Sequence, residues 1–249
     1  MMQQQQRPTN SRNQITLRGS TKIIVEFFEY CINSLLFQRG LYAPEYFKMT
    51  KKYGLNMLVT NDPEVKSHMR EILKQVEAWL MACKVEKLIL AIKSKETMTV
   101  LERWQFDIHN TKDQSSTFSA AATTATSTDP FSRPLAGAGQ DSTSTTTSSS
   151  LPSSSPSKPK LEKTEKEIQT EIQAILRQIT ASVSFLPMLD EKCTWTILCQ
   201  TEKDAEVPAT WSDADPHLVH NAEQVKLRSF STNLHKIDAL VAYRLSDDL

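Results

Sequence analysis

The feature that most restricts this fold is a helical stretch at residues 20–38 whose apolar side chains sweep a wide arc. Ile23, Ile24, Phe27, Phe28, Cys31, Ile32, Leu35 and Leu36 recur at helical spacing, and Arg39-Gly40 supplies a C-terminal cap signal. A surface helix carries a narrower stripe, so a helix of this kind has to lie buried between layers. The rest of the chain must supply elements that cover it on more than one side.

Several such elements are readable. A second helix begins at Asp62-Pro63-Glu64, which offers an N-cap, a proline at the first helical position and an early acid. Its inner side carries Val65, Met69, Ile72, Leu73, Val76, Trp79 and Leu80. Strand-like runs at 85–93 and 97–108 follow, joined by a short polar turn at 94–96. Residues 162–180 form a third helix, with Ile168, Ile172, Ile175 and Ile179 in one narrow seam. Then 193–200 alternates as a strand, 207–216 is a connection containing proline and tryptophan, and strands at 225–232 and 236–245 close the chain.

Between the halves lies 113–160, dominated by Ser, Thr, Ala and Pro and holding an unbroken Ser/Thr run at 142–150. With few aliphatic residues it buries too little surface to offset its ordering entropy, so a disordered loop is expected. The polar, glutamine-rich start at 1–13 reads as a disordered arm. Neither half closes alone, because the first offers two helices and a lone hairpin and the second one helix and three strands. Joined, they make one α+β domain at 14–245, three helices on a mainly antiparallel sheet, with 113–160 as an insertion that loop-closure entropy penalises weakly.

Composition removes several function classes. Of 249 residues, 39% are apolar and 23% charged, enough for a real core, and 29 basic residues balance 29 acidic ones. That balance argues against direct nucleic-acid binding, which favours a basic excess. No apolar leader or membrane span is visible, and a soluble intracellular protein is expected. Cys31, Cys83, Cys193 and Cys199 lack CxxC pairing and read as buried free thiols; Cys193 and Cys199 share a strand face but sit too far apart to bridge. Five glycines leave little room for a phosphate cradle. His217 and His220 lack a third close ligand and read as surface histidines, His68 as exposed on the second helix, and His235 as lying at a strand edge. Glu26 and Glu29 read as a solvated helix face, while Trp79 and Trp104 read as core. No catalytic constellation, metal or cofactor is called for.

Longer stretches are more specific. Ile15-Thr16-Leu17-Arg18-Gly19-Ser20 opens the first helix and Asn33-Ser34-Leu35-Leu36-Phe37-Gln38-Arg39-Gly40-Leu41-Tyr42 ends it. Leu101-Glu102-Arg103-Trp104-Gln105-Phe106-Asp107 marks the second hairpin strand. Ile175-Leu176-Arg177-Gln178-Ile179-Thr180 leads into Phe185-Leu186-Pro187, and Leu227-Arg228-Ser229-Phe230, His235-Lys236 and Val241-Ala242-Tyr243 follow near the end. Across 14–110 and 162–244 the chain resembles the HORMA-domain spindle-checkpoint proteins of the mitotic-arrest-deficient type. It departs from them at the glutamine-rich start and the Ser/Thr-rich insertion.

The resemblance implies a single HORMA domain with a mobile C-terminal safety belt, here about 196–249, that folds over a captured peptide added as a strand. Trp211, Leu234, Ile237, Leu240 and Tyr243 are then the belt and peptide anchors. From periodicity alone the tail reads as an ordinary terminal hairpin, and Trp211 divides evenly between touching the peptide and packing a hinge. Leu17 is implied to favour an open arrangement over a closed one; its plain reading is a staple for the first helix. Arg177, Gln178 and Phe185 are implied to join open and closed copies in a conformational homodimer, although Arg177 also suits a helix C-terminus through the dipole alone.

The implied partners are the activator subunit of the anaphase-promoting complex, a coiled-coil kinetochore receptor, and an AAA+ ATPase with a HORMA-like adaptor. The implied places are nucleus, kinetochore and cytoplasm. Ser155 precedes Pro156 in the pattern of a proline-directed kinase site. The other reading is a HORMA subunit of a translesion DNA polymerase, which uses a similar belt; the Leu-Arg-Ser-Phe and Arg-Gln-Ile stretches fit the checkpoint branch better.

Overall fold

A computed structural model describes residues 15–111 and 163–245. The 1–13 arm, the 113–160 insertion and Ser155 lie outside the described residues.

Helix α1, Leu17–Gln38, starts three residues before the helix expected from 20 because Thr16 caps it, its hydroxyl accepting from Gly19 N at 3.2 Å. Ile24, Phe27, Phe28, Cys31, Ile32, Leu35 and Leu36 are buried, as the width of the arc requires. Helix α2, Pro63–Met81, begins where Asp62 Oδ1 accepts from Glu64 N at 2.8 Å and Val65 N at 3.0 Å. Helix α3, Glu165–Ala181, opens with a capping box in which Thr164 and Glu167 satisfy each other's backbone amides. All four isoleucines of its seam are buried. Both α2 and α3 pack on α1.

The strands are β1 Phe47–Lys52, β2 Leu55–Thr60, β3 Val85–Ser94, β4 Val100–Asn110, β5 Cys193–Thr201, β6 Ala222–Lys226, β7 Phe230–Ser231 and β8 His235–Arg244. The main sheet is antiparallel in the order β5-β3-β4-β8-β6, with β7 also pairing β8. Its helix-facing side carries Leu88, Leu90, Ile92, Trp104, Phe106, Ile108, Ile237, Ala239 and Val241 on alternate positions, all buried. Phe106 meets α1 edge-on, 5.8 Å from Phe27 and 5.6 Å from Phe28.

Sequence reading passed over the β1–β2 hairpin. Its turn, Tyr53-Gly54, has positive φ at both positions (50° and 69°), the geometry of a tight hairpin turn. Gln173 Nε2 of α3 donates to Tyr53 O at 2.7 Å, and a Cβ added to Gly54 would sit 2.8 Å from that nitrogen. Glu26 belongs to this contact and not to a solvated face, because its carboxylate accepts from Lys52 Nζ at 2.8 Å and Tyr53 OH at 2.5 Å. Glu29 is exposed as expected.

Other expectations needed smaller corrections. The strand expected at 225–232 is split into β6 and β7, since Arg228 N donates to Gln178 Oε1 at 2.7 Å and Ser231 N to Glu171 Oε2 at 3.0 Å. Only Cys31 is fully buried, whereas Cys83, Cys193 and Cys199 are half-buried; all four are free thiols. Burial nonetheless pushes the Cys199 thiol up to about 12. Cys193 and Cys199 do share the helix-facing side of β5, opposite Ser94 and Leu88. No described helix is long and apolar enough to cross a membrane.

One buried ion pair ties the layers together. Arg39, just past α1, donates from Nε to Glu102 Oε1 of β4 at 2.7 Å, and its Nη2 reaches Pro187 O. Trp104 Nε1 donates to Glu102 Oε2 at 3.1 Å. Burial raises the Glu102 carboxyl above its ordinary range and the Arg39 guanidinium opposes that rise. Breaking a buried pair strands one charge, which costs about 3–5 kcal/mol. Arg39→Met should therefore lower the urea midpoint by that equivalent, and the double variant Arg39→Met/Glu102→Gln should recover part of the loss in the same equilibrium unfolding experiment.

Candidate functional site

The C-terminal segment is bound into the centre of the sheet. From Glu102↔Tyr243 to Asn110↔His235, β8 pairs with β4 residue by residue. β6 and β7 then pair with the far side of β8. Of the expected anchors, Ile237 and Tyr243 are buried on the helix-facing side, Ile237 opposite both Ile108 and Phe230. Leu240 is half-buried opposite Gln105 on the outer face, and Leu234 is half-buried in the turn before β8.

That turn is held by several elements at once. Ser20 Oγ of α1 lies 2.7 Å from both Thr232 Oγ1 and His235 Nδ1. Thr232 Oγ1 accepts from His235 N at 2.9 Å. Thr111 N, at the end of β4, donates to Leu234 O at 2.9 Å, and its hydroxyl donates to Asn233 O at 3.0 Å. Lys163 N, ahead of α3, donates to Asn233 Oδ1 at 2.9 Å, and Lys163 Nζ reaches Ser231 Oγ at 2.7 Å. His235 does open a strand as expected, but it is buried, and burial holds its imidazole below the ordinary range. No sequence signal marked this cluster, because Ser20 and His235 are 215 residues apart.

The opposite edge of the sheet is open. Among the described residues β5 pairs only with β3, so its outer row of backbone groups has no strand partner. Between Cys193 and Thr201 it carries no charged residue and no proline. Trp195 is fixed on its helix-facing side by a hydrogen bond from Nε1 to Tyr42 OH at 3.0 Å and by the His68 ring at 5.6 Å. His68 is exposed, as expected.

Residues 202–221 join β5 at one edge to β6 at the other, so they traverse four strand spacings, roughly 19 Å. They first lie on α2, where Trp79 Nε1 donates to Glu206 O at 2.8 Å and Trp211 meets Trp79 edge-on at 4.9 Å. They then cross the outer face, where Arg103 Nε donates to Pro216 O at 3.2 Å and His217 Nε2 sits 3.4 Å from Lys93 Nζ. Trp211 thus packs against a helix in this arrangement, well away from the anchors in β8. Trp79 and Trp104 are core, as expected. Residues 196–201 belong to β5 and are paired along β3, so the segment that leaves the sheet begins at 202, later than the 196 expected. His217 is half-buried against a lysine, not a free surface histidine, while His220 is exposed. Among the described residues no group of three His, Cys, Asp or Glu is placed to hold a metal.

The residues expected at a self-association face lie together at the end of α3. Arg177 is exposed, Gln178 accepts from Arg228 N, and Phe185 is 42% exposed with its ring 6.1 Å from that of Tyr243. Two of the three therefore touch the C-terminal segment. Leu17 is half-exposed in the first turn of α1.

Comparisons with known proteins agree with this geometry. Residues 20–235 match the HORMA domain family. The mitotic spindle checkpoint component mad2 of Schizosaccharomyces pombe is 44% identical over 237 residues, 94% of this chain and 97% of that protein. The mitotic spindle assembly checkpoint protein MAD2A of Homo sapiens is 39% identical over 236 residues, 94% of this chain and 96% of that one. A chain in the crystal structure of the mitotic checkpoint complex superposes with a TM-score of 0.69 at 42% identity, covering 91% of this chain and 99% of that chain. C. elegans HTP-2, solved bound to the HIM-3 closure motif, shares the fold at a TM-score of 0.63 with 9% identity, covering 92% of each chain. The chain belongs to the HORMA-domain family and, within it, to the MAD2 spindle-checkpoint proteins, which are adaptors and not enzymes.

Proposed function

We propose that this protein is a spindle-checkpoint adaptor that captures a partner peptide as an added strand on β5 and retains it under the 202–221 connection. The observation that carries the reading is the β5 edge itself: unpaired, uncharged, nine residues long, and flanked by a segment that crosses the whole sheet. Backbone hydrogen bonds to such an edge provide affinity, and alternate side chains provide selection. Retention follows from topology. A peptide lying under the connection leaves when the C-terminal segment lets go, so its residence time includes the cost of a local opening.

The favoured partner is the activator subunit of the anaphase-promoting complex, because the checkpoint relatives cover this chain nearly end to end and one of the similar chains sits in the mitotic checkpoint complex. Restraint of ubiquitin ligation until chromosomes attach is then its role, in nucleus, cytoplasm and at kinetochores. A coiled-coil receptor recruits it to kinetochores, and an AAA+ ATPase with a HORMA-like adaptor reopens it. The docked β8 corresponds in this reading to the closed arrangement, and the domain is one HORMA unit interrupted by the 113–160 insertion. Arg177, Gln178 and Phe185 form the contact between open and closed copies, and their proximity to Arg228 and Tyr243 lets that face respond to the position of the tail.

Three outcomes are expected. Adding a labelled activator-subunit peptide should slow hydrogen exchange in β5 and β8 and form a complex that outlasts gel filtration; equal exchange with and without peptide rejects capture. Arg177→Glu should abolish self-association in analytical ultracentrifugation while peptide binding stays within about twofold, since an exposed side chain contributes little to stability. Leu17→Ala should move the population towards the docked form, read as the ratio of two species on ion exchange or in amide NMR spectra.

A further inference from the structure

Among the contacts of the C-terminal segment with the rest of the domain are two histidines, each docked where its charged form is disfavoured. His217 lies at the crossing of the outer face. Its Nε2 is 3.4 Å from Lys93 Nζ of β3, and the preceding carbonyl, Pro216 O, accepts from Arg103 Nε of β4 at 3.2 Å. Neither Lys93 nor Arg103 is in an ion pair among the described residues. Burial, then the Lys93 charge, holds the His217 imidazole below its ordinary range; Arg103 adds to this, and Asp215 opposes it. His235 lies at the other contact, 1% exposed, with Nδ1 against Ser20 Oγ of α1 and Asn110 of β4 opposite in register. Burial alone lowers its affinity for a proton, because Lys236 and His109 fall on the outer face of the sheet by strand alternation.

We propose that undocking of the C-terminal segment is coupled to proton uptake at His217 and His235, so that mild acid favours its release. The proposal rests on the reading that this segment docks and undocks as the retaining device. In water each imidazole titrates near its ordinary value of 6.5. Above that pH both are neutral in either arrangement, and protons have no leverage. Below it the undocked segment binds a proton that the docked one resists. The ratio of undocked to docked molecules then rises by up to about tenfold per pH unit for each histidine, until the docked imidazole protonates as well. A third histidine faces the ladder on the outer side, where His109 Nε2 lies 3.3 Å from Asp238 Oδ2. His109 is half-exposed there, and Lys236 Nζ contacts the same Asp238 carboxylate at 2.7 Å.

The test is hydrogen exchange of the full chain between pH 7.5 and 5.5, corrected for the intrinsic pH dependence of amide exchange, with β3 amides as the internal reference. The opening constant of β8 should rise as pH falls while that of β3 stays level. His217→Asn should reduce the limiting slope by one proton, since asparagine tolerates the positive φ of 47° at this position and does not titrate. Imidazole NMR of the unsubstituted protein should show His235 titrating below 6.5. A slope unchanged by the substitution, a slope shared by β3, or a His235 resonance titrating at or above 6.5 overturns the coupling. Binding of the labelled activator peptide is measured in parallel at pH 7.5, where neither histidine discriminates. Failure there removes the capture reading while leaving the exchange slopes interpretable, whereas capture with a flat slope removes the proton coupling alone.

Discussion

The ladder between β4 and β8 is the interaction on which the rest of the molecule depends. Helix α1 turns only a narrow polar strip at Arg18, Lys22 and Glu29 to solvent, and Phe27 and Phe28 are fully buried. Part of their cover is Phe106 of β4, and part is Phe230, whose ring lies 4.8 Å from that of Phe27. Phe230 reaches α1 because β7 pairs with β8, and β8 is positioned by β4. Burying an aromatic or large aliphatic side chain of this kind is worth about 1.5–3 kcal/mol. The C-terminal segment is therefore part of the core and not an appendage to it. Any arrangement in which it leaves β4 must cover α1 in another way, which confines the alternatives to a few discrete packings.

Polar contacts decide where that segment docks, while apolar burial sets how strongly. Ile237, Val241 and Tyr243 alone would tolerate a slip of two residues along β4 without losing their face. The turn at 231–235 forbids it. Thr111, Lys163 and Ser20 each engage a different group there, and a shifted register would leave the buried Ser20 hydroxyl and the His235 ring without partners, at about 1–3 kcal/mol for each group. The same contacts join the two halves of the sequence, since Thr111 precedes and Lys163 follows the residues between them.

What the sequence made legible follows from the range over which its signals act. Helix α2 announced itself through Asp62-Pro63-Glu64, and α3 through its isoleucine seam, because capping and periodicity are local. Trp104 was legible as core, but the anchors read in the tail mixed the two faces of β8, since Ile237 and Tyr243 turn inward and Leu240 outward. The β1–β2 hairpin was missed although Tyr53-Gly54 is a usable turn signal, since its flanking residues alternate poorly and draw their order from Glu26 and Gln173 on distant helices. Strand 225–232 was drawn too long because the amides of Arg228 and Ser231 go to Gln178 and Glu171 on α3, contacts that no local pattern signals. At the candidate site the long motifs located the right segments, but the pairing of Trp211 with Trp79, and of His217 with Lys93, had no trace in spacing or composition.

An open edge is ordinarily a hazard that proteins blunt with lysine, proline or a bulge, because it is a template for any extended chain. β5 has none of these along Cys193–Thr201, and its half-buried Leu198 and Trp195 make it more adhesive still. The one register shift in its pairing with β3 falls on the β3 side, between Val85 and Lys87. The protection comes instead from residues 202–221, which start at the end of that strand and pass to both faces of the sheet beside it. A guard made of chain, unlike a lysine, can be moved. In the proposed capture, access to the edge while that segment is docked is limited by its opening and not by diffusion, and whatever pairs with β5 is selected by its fit beneath a segment held at Trp79 and Arg103. On the proposed capture reading, an adhesive edge beside a movable guard lets one strand be both protected from aggregation and available to a partner peptide.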